Sequence, residues 1–226
     1  MRRACTSWIV GWFLFLMLGG LCRSAGATPT LDQNFTPPDD STTFIGEGFA
    51  YVAQTVTPGI TGALTQARLN ASRFSSYSGL WGVSVRTVNG SGQPTSTILA
   101  SQTLTAADVP DQTNPGITIV NFSSPPMVTA GTPFALVINP DPAVSGGGQG
   151  KGSWRGRSNS GGVHYDGGAP YHSNDGASFA LDFNGQYDLD FQTYVDPAIP
   201  EPAIGASLMV IPFVGLLRRR RSRCDR

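Results

Sequence analysis

Short segments of alternating apolar and polar residues fill the middle of this chain and constrain its fold more than any other feature. Within residues 81–88, Trp81, Val83 and Val85 fall on one face of an extended strand, while Ser84 and Arg86 fall on the other. Alternation with a period of two is typical of a strand that buries one face. No long stretch between the two ends of the chain has the 3.6-residue period of a helix, so we expect an all-β fold.

Clusters of Gly, Pro, Asn and Ser, such as residues 89–92 and 114–116, separate about eight or nine segments of this kind. Short strands at such spacing favour a single β-sandwich of the jelly-roll or Greek-key type. The polar residues 30–41 are expected to form an extended lead-in, and residues 106–109 one helical turn. The predicted strands cover residues 44–56, 63–71, 81–88, 97–104, 117–122, 134–138, 179–183 and 189–195.

The first 27 residues have the layout of a secretory signal peptide. Arg2 and Arg3 supply positive charge, residues 8–21 form an apolar run that is short for a stable membrane anchor, and small residues at 25–27 precede a cleavage point. We therefore expect the mature chain to begin at Thr28. The alternatives are an uncleaved anchor helix and lipoprotein processing at Cys22, which is disfavoured because Leu21 stands where a small residue would be wanted.

The last residues, 199–226, form a tail of three parts. Pro200, Glu201 and Pro202 come first and block regular structure, because proline fixes φ and lacks an N–H. Residues 203–217 are apolar and uncharged and would be about 22 Å long as a helix, shorter than a ~30 Å hydrocarbon core. The third part is a cationic cluster that would stay on the cytoplasmic side of a membrane. It consists of Arg218, Arg219, Arg220 and Arg221, with Arg223 beyond them.

This tail resembles the PEP-CTERM sorting signal of Gram-negative bacteria that make extracellular polysaccharide. The resemblance implies export, transient anchoring in the inner membrane through helix 203–217, and processing by a transpeptidase-like exosortase that recognises the Pro-Glu-Pro motif. The protein would then reside at the cell surface or outside the cell. Pro212 interrupts the apolar segment and residues 222–226 extend past the arginines, which departs slightly from the pattern. An ordinary tail anchor is the alternative, with the same topology and no cleavage.

Setting both ends aside changes the charge of the protein. The whole chain is neutral, but the body between the two ends, residues 28–200, has six basic and thirteen acidic residues, a net charge of −7. A surface that binds nucleic acid needs clustered Lys and Arg, so this balance argues against such a partner. All three cysteines, Cys5, Cys22 and Cys224, lie in the ends. We therefore expect one domain, residues 28–198, with neither a disulfide framework nor a Cys-based zinc site.

The order of segments in this body also resembles a jelly-roll-like domain of exported bacterial proteins. The recurring phrases include VTAGTPF at residues 128–134 and YHSNDG at residues 171–176. That group of domains has no settled biochemical role, so the resemblance implies a fold and an exported location.

A polar stretch after a glycine-rich loop, residues 145–152, holds the candidate ligand-binding residues. Loops at the ends of a sandwich commonly bind ligands, aromatic rings stack on sugars, and Arg, Asn and Asp hydrogen-bond hydroxyl groups. This composition favours carbohydrate, with extracellular polysaccharide as the expected partner. The alternative is a surface loop whose aromatic side chains pack on the edge of the sandwich. The candidates are Trp154, Arg155, Tyr165, Tyr171, Asn174 and Asp175.

Three aspartates close together in sequence, Asp182, Asp188 and Asp190, form a candidate metal site. Carboxylates at close range repel unless a cation or a proton neutralises them, and calcium takes six to eight oxygen ligands. A structural calcium ion is therefore one prediction, and simple solvation is the other. Asp166 and Asp175 are each followed by glycine and are expected to form turns.

No catalytic motif stands out in the body. The sequence has no Gly-x-Ser-x-Gly elbow and no phosphate-binding loop, and Glu47 is the one glutamate between the two ends. His164 and His172 lack an evident third zinc ligand. We therefore expect a protein that is not an enzyme. The leading hypothesis is a structural or interaction protein of the surface or matrix, followed by a carbohydrate-binding module and then by a hydrolase with an unrecognised site.

Overall fold

The computed structural model describes residues 28–46, 49–140, 150–159 and 162–197. The predicted signal peptide, the sorting motif, the apolar helix 203–217 and the arginine cluster lie outside these residues, as does most of the glycine-rich loop. Within the described ranges, no helix combines the length and the apolar character that crossing a bilayer would need.

The described residues are organised as β-strands, which confirms the all-β prediction. Apart from an isolated bridge between Arg73 and Asp111, the pairings are antiparallel. A 3-10 turn, Asp182–Gly185, follows β13. The strands are β1 (Thr30–Phe35), β2 (Ser41–Ile45), β3 (Tyr51–Val56), β4 (Gly62–Leu69), β5 (Ala71–Arg73), β6 (Trp81–Val88), β7 (Pro94–Leu104), β8 (Thr118–Asn121), β9 (Met127–Val128), β10 (Phe134–Pro140), β11 (Gly152–Ser158), β12 (Pro170–Ser173), β13 (Ala180–Leu181), β14 (Tyr187–Leu189) and β15 (Phe191–Pro197).

These strands form three sheets. Sheet 1 has the order β1-β15-β4-β8, with β9 also paired to β4. Sheet 2 has the order β13-β12-β3-β10-β6-β7. Sheet 3 has the order β14-β11-β2, with β5 also paired to β11.

One large apolar core receives side chains from all three sheets, so the fold is sandwich-like. Trp81, Val83 and Val85 of β6 are fully buried in it, which confirms the face that the alternation predicts. Phe191 of sheet 1 and Trp154 of sheet 3 are also fully buried. Full burial of a large apolar side chain contributes roughly 1.5–3 kcal/mol, so this shared core holds the sheets together.

A second, smaller apolar cluster covers part of the opposite face of sheet 2, here called the outer face. Ala53, Ala135 and Val137 point outward from β3 and β10 and pack under Tyr171 and Phe179. The segment 174–179, between β12 and β13, therefore lies over the outer face.

The strands of sheet 1 separate where they meet sheet 3. β4 and β15 pair as far as Leu69 and Phe191, and the amide of Asn70 still donates to the Asp190 carbonyl at 3.3 Å. Beyond these residues the two chains diverge, and β5 and β14 pair with different parts of β11. The amide of Arg155 donates to the Asn70 carbonyl at 2.8 Å, and the amide of Asp190 donates to the Arg155 carbonyl at 2.9 Å. We call this arrangement the fork, and it joins the backbones of sheets 1 and 3.

Several predicted boundaries need correction. Residues 44–56 form two strands, β2 and β3, in different sheets, and the predicted lead-in contains β1, which pairs with β15. Residues 106–109 form a turn in which the amide of Asp108 donates to the carbonyl of Thr105. The polar region assigned to loops contains β11 and β12. A Cβ atom at Gly156 would lie 2.2 Å from the Asp188 carbonyl oxygen, so β11 requires glycine at this position. Because sequence patterns associate glycine with turns, the sequence did not predict this strand.

Candidate functional site

An open groove of about 280 Å³ crosses the outer face of sheet 2. Its volume is near the lower end of ligand sites, which span roughly 300–1,000 Å³. Strands β3, β6, β7 and β10 supply its walls, and most of the lining side chains that can reach a ligand are polar. The lining residues are Tyr51, Gly82, Val83, Ser84, Arg86, Ile98, Ser101, Gln102, Thr103 and Asn139.

Arg86 is the charged residue of this groove, and its side chain is largely buried, with 7% of the residue exposed. Its Nε donates to the Ser84 hydroxyl at 3.1 Å, and its Nη1 donates to the Gly176 carbonyl at 2.6 Å. The Nη2 group has no hydrogen-bond acceptor among the described residues, and no described carboxylate forms an ion pair with this guanidinium. Burial lowers the pKa of Arg86, but an arginine remains charged in proteins, so the groove contains an uncompensated cation.

Two aromatic rings flank this cation. The Cζ atom of Arg86 lies 5.3 Å from the ring centroid of Tyr51 and 5.7 Å from that of Phe179. The two rings meet edge to face, with centroids 6.5 Å apart. Cation–π contacts at these distances stabilise the charged form of Arg86 and limit rotation of its guanidinium group, so the side chain is held in a defined position.

An irregularity between β6 and β7 also positions Arg86. Val85 pairs with Ala100, but Arg86 pairs with Ile98, which leaves Leu99 as an extra residue in β7. Such bulges increase the local twist and redirect side chains. Ile98, directly across from Arg86, is 53% exposed, so an apolar side chain stands beside the cation at the edge of the groove.

A tight turn after β12 provides the acceptor for Arg86. The carboxylate of Asp175 accepts from the amides of Ala177 and Ser178 at 2.9 and 2.8 Å, and these backbone hydrogen bonds lower its pKa well below the usual range. Gly176 has φ 68°, and a Cβ atom there would lie 2.6 Å from the Tyr51 ring. The turn therefore needs glycine at this position to bring its carbonyl to Arg86.

The amide of Asn139 fixes the other side of Tyr51. With its oxygen facing the ring hydroxyl, Asn139 accepts a hydrogen bond from Tyr51 at 3.0 Å, and its nitrogen donates to the Ala50 carbonyl at 3.2 Å. The hydroxyl groups of Ser101 and Thr103 complete the polar lining. Gln102 lies between them opposite Val83, and its side chain accepts from the Ser123 amide at 3.4 Å and donates to the Thr103 carbonyl at 3.2 Å. These donors and acceptors suit a ligand with several hydroxyl groups.

Part of the predicted ligand set lies near this groove. Asn174 and Asp175 belong to the turn that covers the outer face, and both are exposed. Tyr171 packs beside Phe179 in the outer apolar cluster, and burial raises the pKa of its hydroxyl. The structure therefore brings these three residues to one face.

The other predicted ligand residues lie elsewhere, and the assignment of Trp154 needs correction. Trp154 is fully buried, and its indole N–H donates to the Asp190 carbonyl at 2.9 Å, so its faces pack in the core and cannot stack on a sugar. Arg155 pairs with Asp39 at 2.7 Å beside sheet 3. Tyr165 packs edge-on against Phe191 at 5.0 Å, and burial raises its pKa to about 12.

The three aspartates predicted to bind calcium have separate partners. Asp188 accepts from the Gln54 side chain at 3.1 Å and from the Tyr165 amide at 2.9 Å. Asp190 accepts from the Asn70 side chain at 3.1 Å, and its Oδ1 has no partner. Among the residues that the structure describes, no group of three or more His, Cys, Asp or Glu is arranged to hold a metal ion. Calcium binding stays a prediction.

Asp182 belongs to a buried hydrogen-bond network at the edge of the core. It contacts Nδ1 of His172 at 2.9 Å and accepts hydrogen bonds from the hydroxyl groups of Tyr187 and Thr43. Phe49 stacks on the His172 ring at 3.8 Å. Burial and the hydrogen bond to Asp182 raise the pKa of Tyr187. In the described ranges no serine, threonine or cysteine bonds to the His172 ring.

Sequence reasoning missed Arg86 and Tyr51. The alternation in 81–88 places Arg86 on the face opposite the core, where an arginine is ordinarily solvated. Tyr51 and Phe179, which enclose it, lie 35 and 93 residues away in the chain. The one available signal was a lone cation among Ser, Gly and Val on the outer face of an interior strand.

Comparison with known proteins identifies a shared fold. No family model matches the chain, and no curated protein matches it. The clostridial cysteine protease Cwp84 after propeptide cleavage matches with a TM-score of 0.50 and 14% identity, over 75% of this chain and 40% of that chain. A structure of the cysteine protease and lectin-like domains of Cwp84, a surface layer associated protein of Clostridium difficile, gives a TM-score of 0.44 and 14% identity, over 72% of this chain and 37% of that one. This chain thus spans less than half of each neighbour, and the likeness at a TM-score of 0.50 is one of fold.

Proposed function

We propose that this chain is an exported β-sandwich protein of the cell surface or extracellular matrix that binds polysaccharide in the Arg86 groove. The observation that carries the proposal is the buried guanidinium, held by Tyr51, Phe179 and the Gly176 carbonyl, with Nη2 free of described acceptors beside the groove. A fixed donor surrounded by hydroxyl and amide groups matches the hydrogen-bonding needs of a sugar. An open groove on a sheet also leaves room for a polymer to enter and leave at its ends.

The proposed role is binding without catalysis. The similar chain is named a cysteine protease, but residues 28–197 of this chain contain no cysteine. The His172–Asp182 pair has no nucleophile among the described residues. We also assign the sandwich to the jelly-roll type, which the antiparallel pairing and the two-faced sheet 2 support.

The proposal includes sorting through the tail. A PEP-CTERM-like signal at residues 200–226 would hold the exported chain at the inner membrane of a Gram-negative bacterium until an exosortase-like enzyme processes it. Mass spectrometry of the mature protein should find an N-terminus near Thr28 and a C-terminus near residues 200–203. An intact arginine-rich end on the mature protein would instead indicate a tail anchor.

Binding can be tested with the full-length chain in mild detergent and the extracellular polysaccharide of the producing bacterium. We expect Arg86→Gln to weaken retention of the protein on immobilised polysaccharide. Arg68→Gln is the matched control, because Arg68 also stacks on a tyrosine, Tyr194, at 4.7 Å, but it lies on sheet 1. Absence of binding at millimolar glycan would reject the proposal and leave a purely structural surface role. Equal weakening by both substitutions would reject the groove as the site.

A further inference from the structure

We infer that the groove recognises a carboxylate, so that its ligand is an acidic sugar of the uronate class. This inference rests on the proposed function and adds the chemical class of the ligand. Its starting point is the charge of the groove, since Arg86 is buried and forms no ion pair with the described carboxylates, whereas Arg73, Arg155 and Arg157 each have one.

A buried charge is costly unless an opposite charge accompanies it. Tyr51, Phe179, Ser84 and Gly176 stabilise the guanidinium without neutralising it. An incoming carboxylate would supply the missing charge and an acceptor for Nη2. Guanidinium and carboxylate groups match in planar geometry, and hydrogen bonds between them are among the strongest in proteins.

The surroundings of Arg86 favour a sugar acid over a small inorganic anion. Ser101 and Thr103 extend the groove along β7 and offer hydroxyl groups that bind the hydroxyls of a sugar. Ile98 gives one apolar contact beside the cation, suited to the C–H face of a sugar ring. A uronate ring carries a carboxylate, hydroxyl groups and an apolar face together.

The charge of the rest of the protein makes this inference testable. The body is strongly acidic, with a net charge of −7 over residues 28–200, and it repels polyanions at long range. Within the body, binding to an acidic polymer must therefore come from a local site. The full-length chain also carries the arginine cluster at residues 218–221, which attracts polyanions, so only acid binding that depends on Arg86 supports the groove as the site.

The experiment compares a uronate oligomer with its neutral ester. The full-length chain in mild detergent is titrated with oligogalacturonate, oligoglucuronate and oligomannuronate and with their methyl esters, and the dissociation constants are measured by calorimetry. We expect at least one acid to bind about tenfold or more tightly than its ester, the effect of losing one charged hydrogen-bonded pair. Arg86→Gln should remove this preference, and Arg86→Lys should reduce it because the planar fork is lost.

A second variant tests the charge without touching Arg86. Ile98→Asp places a carboxylate directly across from the guanidinium, where it should compete with the ligand and weaken acid binding about tenfold or more. Ile98→Asn is its uncharged control, and Arg68→Gln should leave the preference unchanged. Circular dichroism and thermal unfolding verify that each variant is folded.

The outcomes separate the inference from the proposed function. Equal affinity for acid and ester, or binding of the producer's polysaccharide without any uronate binding, would overturn the inference and leave the proposed function standing. Failure to bind any glycan would overturn both. An acid preference that survives both Arg86→Gln and Ile98→Asp would show that the carboxylate is read elsewhere and would also overturn the inference.

Discussion

Asp190 should make the stability of this protein depend on pH in the direction opposite to that of an ordinary carboxylate. It lies at the fork, 2% exposed, with one hydrogen bond from Asn70 and an Oδ1 that has no partner. Burial raises its pKa from 3.8 to about 7, while Asn70 and Arg155 oppose the rise. The folded protein therefore keeps this carboxyl protonated under conditions in which the unfolded chain ionises it.

The size of the effect follows from the two pKa values. Between about pH 4 and pH 7, unfolding releases a proton from Asp190, so the free energy of unfolding falls as the pH rises through this window. With 1.36 kcal/mol for each pH unit, the loss between pH 4.5 and pH 8 is roughly 3 kcal/mol. Below the unfolded-state pKa the contribution is fully present, and above the folded-state pKa it is lost.

Asp190→Asn removes this titration while keeping an oxygen to accept from Asn70. We expect the free energy of unfolding of the variant, minus that of the wild type, to rise by roughly 3 kcal/mol between pH 4.5 and pH 8. Urea unfolding of both proteins at several pH values, followed by tryptophan fluorescence, measures this difference. The other carboxylates cancel in the comparison.

Asp175→Asn provides a control whose difference from wild type should stay nearly constant from pH 4.5 to pH 8. Backbone hydrogen bonds lower the pKa of Asp175 below 3.8, so its contribution is lost only at more acidic pH, as the pH falls. A difference between Asp190→Asn and wild type that stays constant from pH 4.5 to pH 8 would refute the reasoning.

Three further predictions concern the turn, the core and calcium. Gly176→Ala should lower the free energy of unfolding by about 1–3 kcal/mol, from positive φ and the contact with Tyr51, and should weaken glycan binding. Gly131→Ala is the control, since it has positive φ without a neighbour within 4 Å, and equal losses would show that the Tyr51 contact is unimportant. Trp154→Ala should cost about 3–5 kcal/mol in urea unfolding as a core substitution, and a loss below ~1 kcal/mol would contradict its burial. If the predicted calcium site exists, calcium should raise the thermal midpoint above that measured with chelator, and an unchanged midpoint would end that hypothesis.

The strands that the sequence predicts best are those with one clear buried face. β6 covers residues 81–88 as predicted, because Trp81, Val83 and Val85 alternate with smaller or polar residues. The strands that the sequence does not predict lack this alternation of apolar and polar residues. β11 is rich in Gly, Ser and Arg, and its two glycines, Gly152 and Gly156, stand where a Cβ atom would collide with the backbone of a neighbouring strand.

The candidate site is harder to predict than the fold. Composition alone leads to the aromatic and polar residues of 154–175, but it cannot separate a tryptophan in the core from one on the surface. Trp154 and Tyr171 have the same apparent suitability for sugars, and only the pairing of their strands decides which face each one occupies. Arg86 depends on contacts with Tyr51 and Phe179, which only the assembled sheet creates.

The pairing of β1 with β15 determines how any attachment at the chain ends would hold the protein. Thr30 lies opposite Val195, so the described chain begins and finishes at neighbouring points of sheet 1. A tether at either end would pull on the same pair of strands, β1 and β15. The Arg86 groove lies on the outer face of sheet 2, across the core. Anchoring and glycan capture would thus use opposite layers of the sandwich, and losing the tether would leave the capturing surface unchanged.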